Sequence, residues 1–139
     1  MADRERDAVI VAADTVVDRD GTTLGKPRDR ADARTMLISL SGREHIVHTA
    51  YVAIDTVSGA RIAQTHSTTV RFAPLALETI DAYIATGEPL DKAGAYGIQG
   101  RGAALVERID GDFYTVMGFP LGDFVRRLPT LGYTLGRAR

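Results

Sequence analysis

Two rhythms of apolar positions run along this chain. "AVIVAADTVV" (8–17) is nearly continuous, broken by one acid, and predicts a strand buried on both faces. "DRDGTT" follows as turn chemistry. From about Asp29 to Ser41 the period changes to that of a helix. Asp29 is its cap, Asp32 lies in the first turn, Gly42 stands just past the end, and Ala33, Met36, Leu37 and Leu40 form the apolar stripe. "EHIVHTAYVAI" and "ARIAQTHSTTVRF" read as two strands joined as a hairpin across "DTVSG". A second helix is predicted over about 75–86, with Leu77, Ile80 and Ile84 facing inward. Beyond it come the glycine-rich stretch "DKAGAYGIQG" (91–100), a strand at "AALVERI", a "DGD" turn and "FYTVM". A last helix is expected at about 121–128, carrying Leu121, Phe124, Val125 and Leu128 and ended by Pro129. Strands and helices alternate imperfectly around one antiparallel pair, which predicts an α/β domain with a mixed sheet flanked by helices.

The chain has 139 residues, the length of one domain, and the whole of 1–139 is read as such, with 1–7 disordered and 133–139 a flexible tail. Net charge is −1 with no long run of either sign, so neither a nucleic-acid nor a membrane partner is expected. Cysteine is absent, which excludes a disulfide framework, a thiolate metal site and a cysteine nucleophile. No stretch has the length of a membrane span, and "MADRERDAVIV" lacks a signal-peptide pattern, so the expected location is the cytoplasm.

Few residues here can carry chemistry. Asp14 closes the apolar run, where a carboxylate must be paired, hydrogen-bonded, on a metal or at an open sheet edge. It is a turn-forming cap, or else a general base or Mg²⁺ ligand. Thr15 beside it points to the opposite face if the strand continues. In "GKPRD" (25–29), Pro27 forces Lys26 into extended geometry at a helix entrance. Lys26 is there either a solvated cation or an anion contact. In the glycine-rich stretch Lys92 offers a second cation, and Gln99 an amide able to donate to and accept from a base edge. His45 and His48, three apart on one strand, cannot share a metal. His48 and His66 could approach across the hairpin, though ordinary half-buried histidines are the plainer reading.

Together these segments resemble one family. "AADTVVDRDGTTLGKPRDRADARTMLISLSGREHIVHTA" and "VRFAPLALETIDAYIATGEPLDKAGAYGIQGRGAALVERIDGDFYTVMGFPL" are similar to the Maf proteins, nucleoside triphosphate pyrophosphatases, over most of residues 8–128. The K-A-G-A-Y-G-I-Q-G form looks like the subgroup acting on dTTP and UTP rather than the one acting on 7-methyl-GTP. The resemblance implies a Maf or inosine-triphosphate-pyrophosphatase-like architecture and hydrolysis of a nucleoside triphosphate to the monophosphate and pyrophosphate with Mg²⁺ or Mn²⁺. It implies that Asp14 is the catalytic proton acceptor and metal-binding acid, and that Thr15 is a specificity position. Lys26 would contact phosphate and Gln99 would recognise the base, with Lys92 and Glu88 as further substrate-binding residues of the matched motif.

One departure stands out. Family members carry an N-terminal strand and an S-x-S-P-R-R segment that grips the triphosphate, and no S-P-R-R occurs in this sequence. The expectation is therefore an N-terminally truncated or short homologue with an exposed sheet edge, low turnover, and self-association, as a homodimer, to cover the gap. The alternative to an enzyme is an impaired Maf-like protein that binds nucleotide or protein partners without turnover.

Overall fold

The computed structural model describes residues 7–136; stretches 1–6 and 137–139, parts of the expected disordered start and tail, lie outside the described residues. Five strands form one sheet: β1 (Val9–Arg19), β2 (Thr22–Leu24), β3 (Glu44–Asp55), β4 (Arg61–Phe72) and β5 (Val106–Asp110). Their order is β2-β1-β3-β4-β5, and every neighbouring pair runs antiparallel. Among the described residues four helices accompany them: α1 (Arg30–Leu40), α2 (Leu77–Ala85), α3 (Phe113–Met117) and α4 (Leu121–Arg127). The α/β architecture with helices against a sheet agrees with the sequence reading, and the sheet is antiparallel among the described residues.

Period-two alternation decides what the sheet covers. In β3, His45, Val47, Thr49, Tyr51, Ala53 and Asp55 are buried, while Glu44, Ile46, Ala50 and Ile54 between them are exposed. Ala33, Leu37 and Leu40 of α1 and Ile80, Tyr83 and Ile84 of α2 join Val17, Val47, Val70 and Phe72 in the main core. A second cluster holds Tyr51, Ala53, Ile62 and Leu131, with Phe119, Phe124 and Tyr133 packed against it. Both clusters lie on one face, and Ile10, Ile46 and Ile54 stand exposed on the other.

Local chemistry sets the element ends. Asp20 and Gly21, both at positive φ (52° and 86°), make the two-residue turn from β1 to β2 that the twist of a hairpin requires. Asp29 caps α1 by accepting from Asp32 N at 2.8 Å, and Asp32 accepts from Arg28 N at 2.9 Å. "FYTVM" is helical as α3, capped by Asp112, whose Oδ2 accepts from Thr115 N at 2.8 Å.

Several expectations need correction. The run 8–17 is not buried on both faces: Ile10, Val11, Ala12, Ala13 and Asp14 are exposed. β2 pairs only with Val17–Arg19, so the rest of β1 has a free edge among the described residues, and one of its faces is uncovered. The strand also runs on to Arg19, so Asp14 is internal to it. Leu77 is 51% exposed because it is the first residue of α2, and a helical side chain covers the turn preceding its own. "AALVERI" opens in a 3₁₀ segment (Gly100–Leu105), and its last four residues, from Val106, belong to the strand. α4 ends at Arg127 and passes into a 3₁₀ turn containing Pro129, and it has no fully buried residue.

His45 is the one histidine in the main core, 2% exposed. Its Nε2 lies 2.6 Å from Tyr96 Oη, and its ring meets Phe72 and Tyr96 edge-on. Burial pulls its pKa down from 6.5 to about 4. Below pH 6.5 the unfolded chain takes up a proton here that the folded chain refuses until about pH 4. Stability is therefore lost as pH falls through that window, by about 3 kcal/mol. His45→Gln can still bond Tyr96 but does not titrate. Urea unfolding between pH 7 and pH 4 should show a steeper loss for the wild type than for this variant. Parallel curves would remove His45 as the cause.

Candidate active site

A cleft of about 550 Å³ opens between β1 and the glycine-rich stretch after α2. Asp14, Thr15, Lys26, Glu88, Lys92 and Gln99, the full set singled out in the sequence, all line it. Residues far apart in the chain meet because the stretch folds back over β1: Gly94 N donates to Gly25 O at 3.1 Å, which ties "DKAGAYGIQG" to "GKPRD".

Asp14 and Thr15 reach the cleft differently. Thr15 pairs across from Thr49, on the covered face, and its side chain points into the layer beneath the helices. Asp14 pairs with Ala50 on the open face, yet its Oδ1 accepts from Thr15 N at 3.0 Å. A strand amide bound to a neighbouring side chain is not in the β3 ladder, so the carboxylate lies along the free edge of β1. That edge position lets a residue of the uncovered face line the cleft.

Glu88 organises the loop. Its Oε2 accepts from Tyr83 Oη at 2.5 Å and from Gly102 N at 3.0 Å, and its Oε1 accepts from Arg101 N at 3.1 Å. Burial opposes its charge, but these three donors outweigh burial and hold its carboxyl below the usual value. Tyr83 Oη also receives Gly97 N at 3.1 Å, and burial together with Glu88 raises the phenol's pKa. Gly102 has to be glycine: a Cβ there would lie 1.9 Å from Gly97 O.

Two lysines supply the positive charge of the cleft. Lys26 is exposed, and Lys92 Nζ lies 3.1 Å from Asp91 Oδ1. Asp91 is held below the ordinary carboxylate range by that hydrogen bond and charge first, with Lys26 contributing. The α1 N-terminus is no anion site, since Asp29 and Asp32 already occupy amides there. Three lining carboxylates (Asp14, Glu88, Asp91) against two ammonium groups (Lys26, Lys92) leave the cleft one charge negative, 2 − 3 = −1.

A cation could be held here in one way. Glu88 is engaged on both oxygens and Asp91 on one, whereas Asp14 Oδ2 has no partner among the described residues. No group of three or more His, Cys, Asp or Glu there could hold a metal. This donor set fits a hydrated ion that comes with phosphate oxygens, the usual habit of magnesium. The histidines are not part of it. His48 lies against Ser67 (2.6 Å) and Asp18 (3.3 Å) on the open face, while His66 lies 3.1 Å from Asp123 on the covered one. The two do not approach across the hairpin, because His48 faces Ser67 and Thr49 faces His66 in register.

Sequence reasoning missed Asp91, Tyr83, Thr49 and the wall at Val116–Gly118. Asp91 stands next to Lys92 in the quoted motif and could have been read as its partner. Tyr83 falls three residues after Ile80 on the inward stripe of α2, so its ring was legible and its hydroxyl was not.

Comparison with known proteins completes the picture. Residues 1–131 match the family profile described as "Maf-like protein". The dTTP/UTP pyrophosphatase of Symbiobacterium thermophilum is 52% identical over 129 residues, 92% of this chain and 65% of that protein. Those of Bacillus velezensis (53%; 88% and 64%) and Dictyoglomus thermophilum (45%; 97% and 70%) are similar. The chain thus spans about two thirds of the curated relatives it matches, and 56% of the one from Syntrophotalea carbinolica. On a profile match over nearly its whole length and identities near one half, the chain belongs to the Maf family.

Proposed function

We propose that this cleft binds a pyrimidine nucleoside triphosphate, dTTP or UTP, and hydrolyses it to the monophosphate and pyrophosphate. The observation that carries the proposal is the convergence of Asp14, Lys26, Lys92 and Gln99 on one cleft. It is supported by relatives that bear the name dTTP/UTP pyrophosphatase. Asp14 takes a proton from water at the open edge of β1, the new bond forms to the α-phosphorus, and the bond to the bridging oxygen breaks, releasing pyrophosphate. Lys26 and Lys92 move onto the phosphates, with Lys92 leaving Asp91 as a stronger anion arrives. A Mg²⁺ or Mn²⁺ ion bound through Asp14 and phosphate oxygens would neutralise charge on the leaving group. The cleft's own net negative charge is a reason to expect that ion, since a bare triphosphate would be repelled. Gln99 reads the base edge, and Glu88 acts through the loop it holds. The cytoplasm is the compartment this reading implies, and no helix among the described residues is long and apolar enough to cross a membrane.

Asp14→Asn keeps the side chain's shape and its acceptor for Thr15 N. Pyrophosphate release from dTTP with Mg²⁺ should fall by about a hundredfold or more, the loss expected for a general base. Release within threefold of wild type would remove Asp14 from that role, and nucleotide binding with no release from the wild type would favour a non-catalytic binder.

Gln99→Ala should narrow the gap in kcat/KM between dTTP or UTP and the purine triphosphates, because the favoured base loses its polar partner. An unchanged ranking with a normal thermal transition would take Gln99 out of base recognition.

A further inference from the structure

Three hydroxyl and carbonyl oxygens lie in a row beneath the cleft. Thr15 Oγ1 is 2.8 Å from Thr49 Oγ1, and Thr49 Oγ1 is 2.8 Å from the carbonyl oxygen of Thr115. Thr49 is fully buried in the middle of β3, and Thr115, in α3, is fully buried too. Each contact at this distance needs a hydrogen between its two oxygens.

Only two hydrogens are available for the two contacts, one on each threonine hydroxyl. A carbonyl can only accept, so the bond to Thr115 O must use the hydrogen of Thr49. That leaves Thr49 Oγ1 as an acceptor toward Thr15, and the bond between the two threonines must use the hydrogen of Thr15. No other assignment fills both. The Thr115 carbonyl also accepts from Gly118 N at 3.2 Å, but with the hydroxyls reversed its contact with Thr49 Oγ1 at 2.8 Å would set two oxygens against each other with no hydrogen between them.

We infer that Thr49 is a positioning residue that turns Thr15 into an obligate hydrogen-bond acceptor, so that Thr15 meets an N–H or O–H donor of the bound nucleotide. The inference rests on the proposal that the cleft holds dTTP or UTP. A lone threonine hydroxyl can rotate to donate or accept and discriminates weakly. Here the hydroxyl hydrogen is committed inward, and only lone pairs face the cavity. A nucleotide group that itself only accepts, such as a base carbonyl, would meet Thr15 lone pair to lone pair.

Two donors of a thymidine nucleotide fit: the imide N3–H of the base and the 3′-hydroxyl of the sugar. The same relay joins the specificity side chain to the opposite wall, since Thr115 precedes Val116, Met117 and Gly118, which line the cleft. The rim at Gly118 is close enough that a Cβ there would lie 3.8 Å from Thr15 Oγ1. Thr49 therefore fixes both the polarity of Thr15 and its distance from that wall.

The test measures binding by calorimetry, so that an inactive chain still gives an answer. The probes are the α,β-imido forms of dTTP, of its N3-methyl derivative and of its 3′-deoxy derivative, each with Mg²⁺. With the wild type, one of the two modified probes should bind about tenfold more weakly than the parent, and which one it is names the donor. In Thr15→Val that penalty should vanish. In Thr49→Val it should shrink at least threefold, because the released hydrogen can turn outward. Thr49→Ser, which keeps the hydroxyl, should restore it. A merely structural role for Thr49 would change all three affinities together and leave their ratios alone. Equal penalties in wild type and Thr15→Val, or no penalty for either probe, would overturn the inference. Should Thr49→Val fail to fold, Thr15→Val and Thr49→Ser still decide. Failure of all three probes to bind would overturn it as well. Normal ratios without pyrophosphate release from dTTP would instead count against the proposed reaction alone.

Discussion

The antiparallel ladder between β1 and β3 is the constraint from which the site follows. It runs from Val9 opposite Asp55 to Asp18 opposite Ile46, a length over which a slip by one residue would invert every side chain of β1. In the observed register Val17 enters the core beside Val47, and Thr15 stands over Thr49. Asp14 is thereby sent to the uncovered face, where a carboxylate needs no buried partner. A slip would bury Asp14 under the helices without a counter-charge, which the energetics of buried ions forbid. The same apolar packing that fixes the core thus fixes that Asp14 stands on the uncovered face and Thr15 over Thr49.

Around that ladder, the cleft divides its work by burial. Thr49, Thr115 and Tyr83 are buried and hydrogen-bonded, and the half-buried Glu88 carboxylate gathers loop amides. Parts that would meet a polyanion under the proposed function lie toward solvent, namely Lys26, the Lys92–Asp91 pair and Asp14. Exposed ion pairs are individually worth at most about 1 kcal/mol, so Lys92 would lose little by leaving Asp91 for a phosphate, as the proposed function requires. Glu88, with three donors on its carboxylate, is in no position to be rearranged in this way. Its place in the cleft lining reflects the loop it supports.

Much of this was legible in the sequence, and the limits have physical causes. α1 was readable because cap, stripe and terminal glycine all agree from Asp29 to Gly42. The β3–β4 hairpin was readable from its length and alternation. The resemblance in "ADTVV", "GKPRD" and "DKAGAYGIQG" brought Asp14, Lys26 and Gln99 together before any coordinates did. The apolar run alone did not show that β1 is exposed, because such a run looks alike whether neighbouring strands cover it or not; the exposed sheet edge was expected only through the family resemblance. Nor was the division between Asp14 and Thr15, which depends on an open edge that lets a carboxylate curl back to its neighbour's amide. Hydrogen-bond polarity is least legible of all. Nothing in the letters "HTA" says that Thr49 will donate to a carbonyl 66 residues away.

That last point bears on how such a site would discriminate, under the proposed function, with so few polar groups. A flexible amide such as Gln99 can present either of its ends, and alone it would accept several base edges. A hydroxyl whose hydrogen is already committed can present only one sign. Pairing an adaptable reader with a fixed one would reject a wrong nucleotide by leaving polar atoms unpaired rather than by steric exclusion. Unpaired buried groups cost more than missing methylenes do, so this is the stronger filter. It requires that the fixed reader stand on something that does not move. A buried threonine at the centre of the longest ladder in the sheet meets that requirement, and a residue on the glycine-rich loop would not.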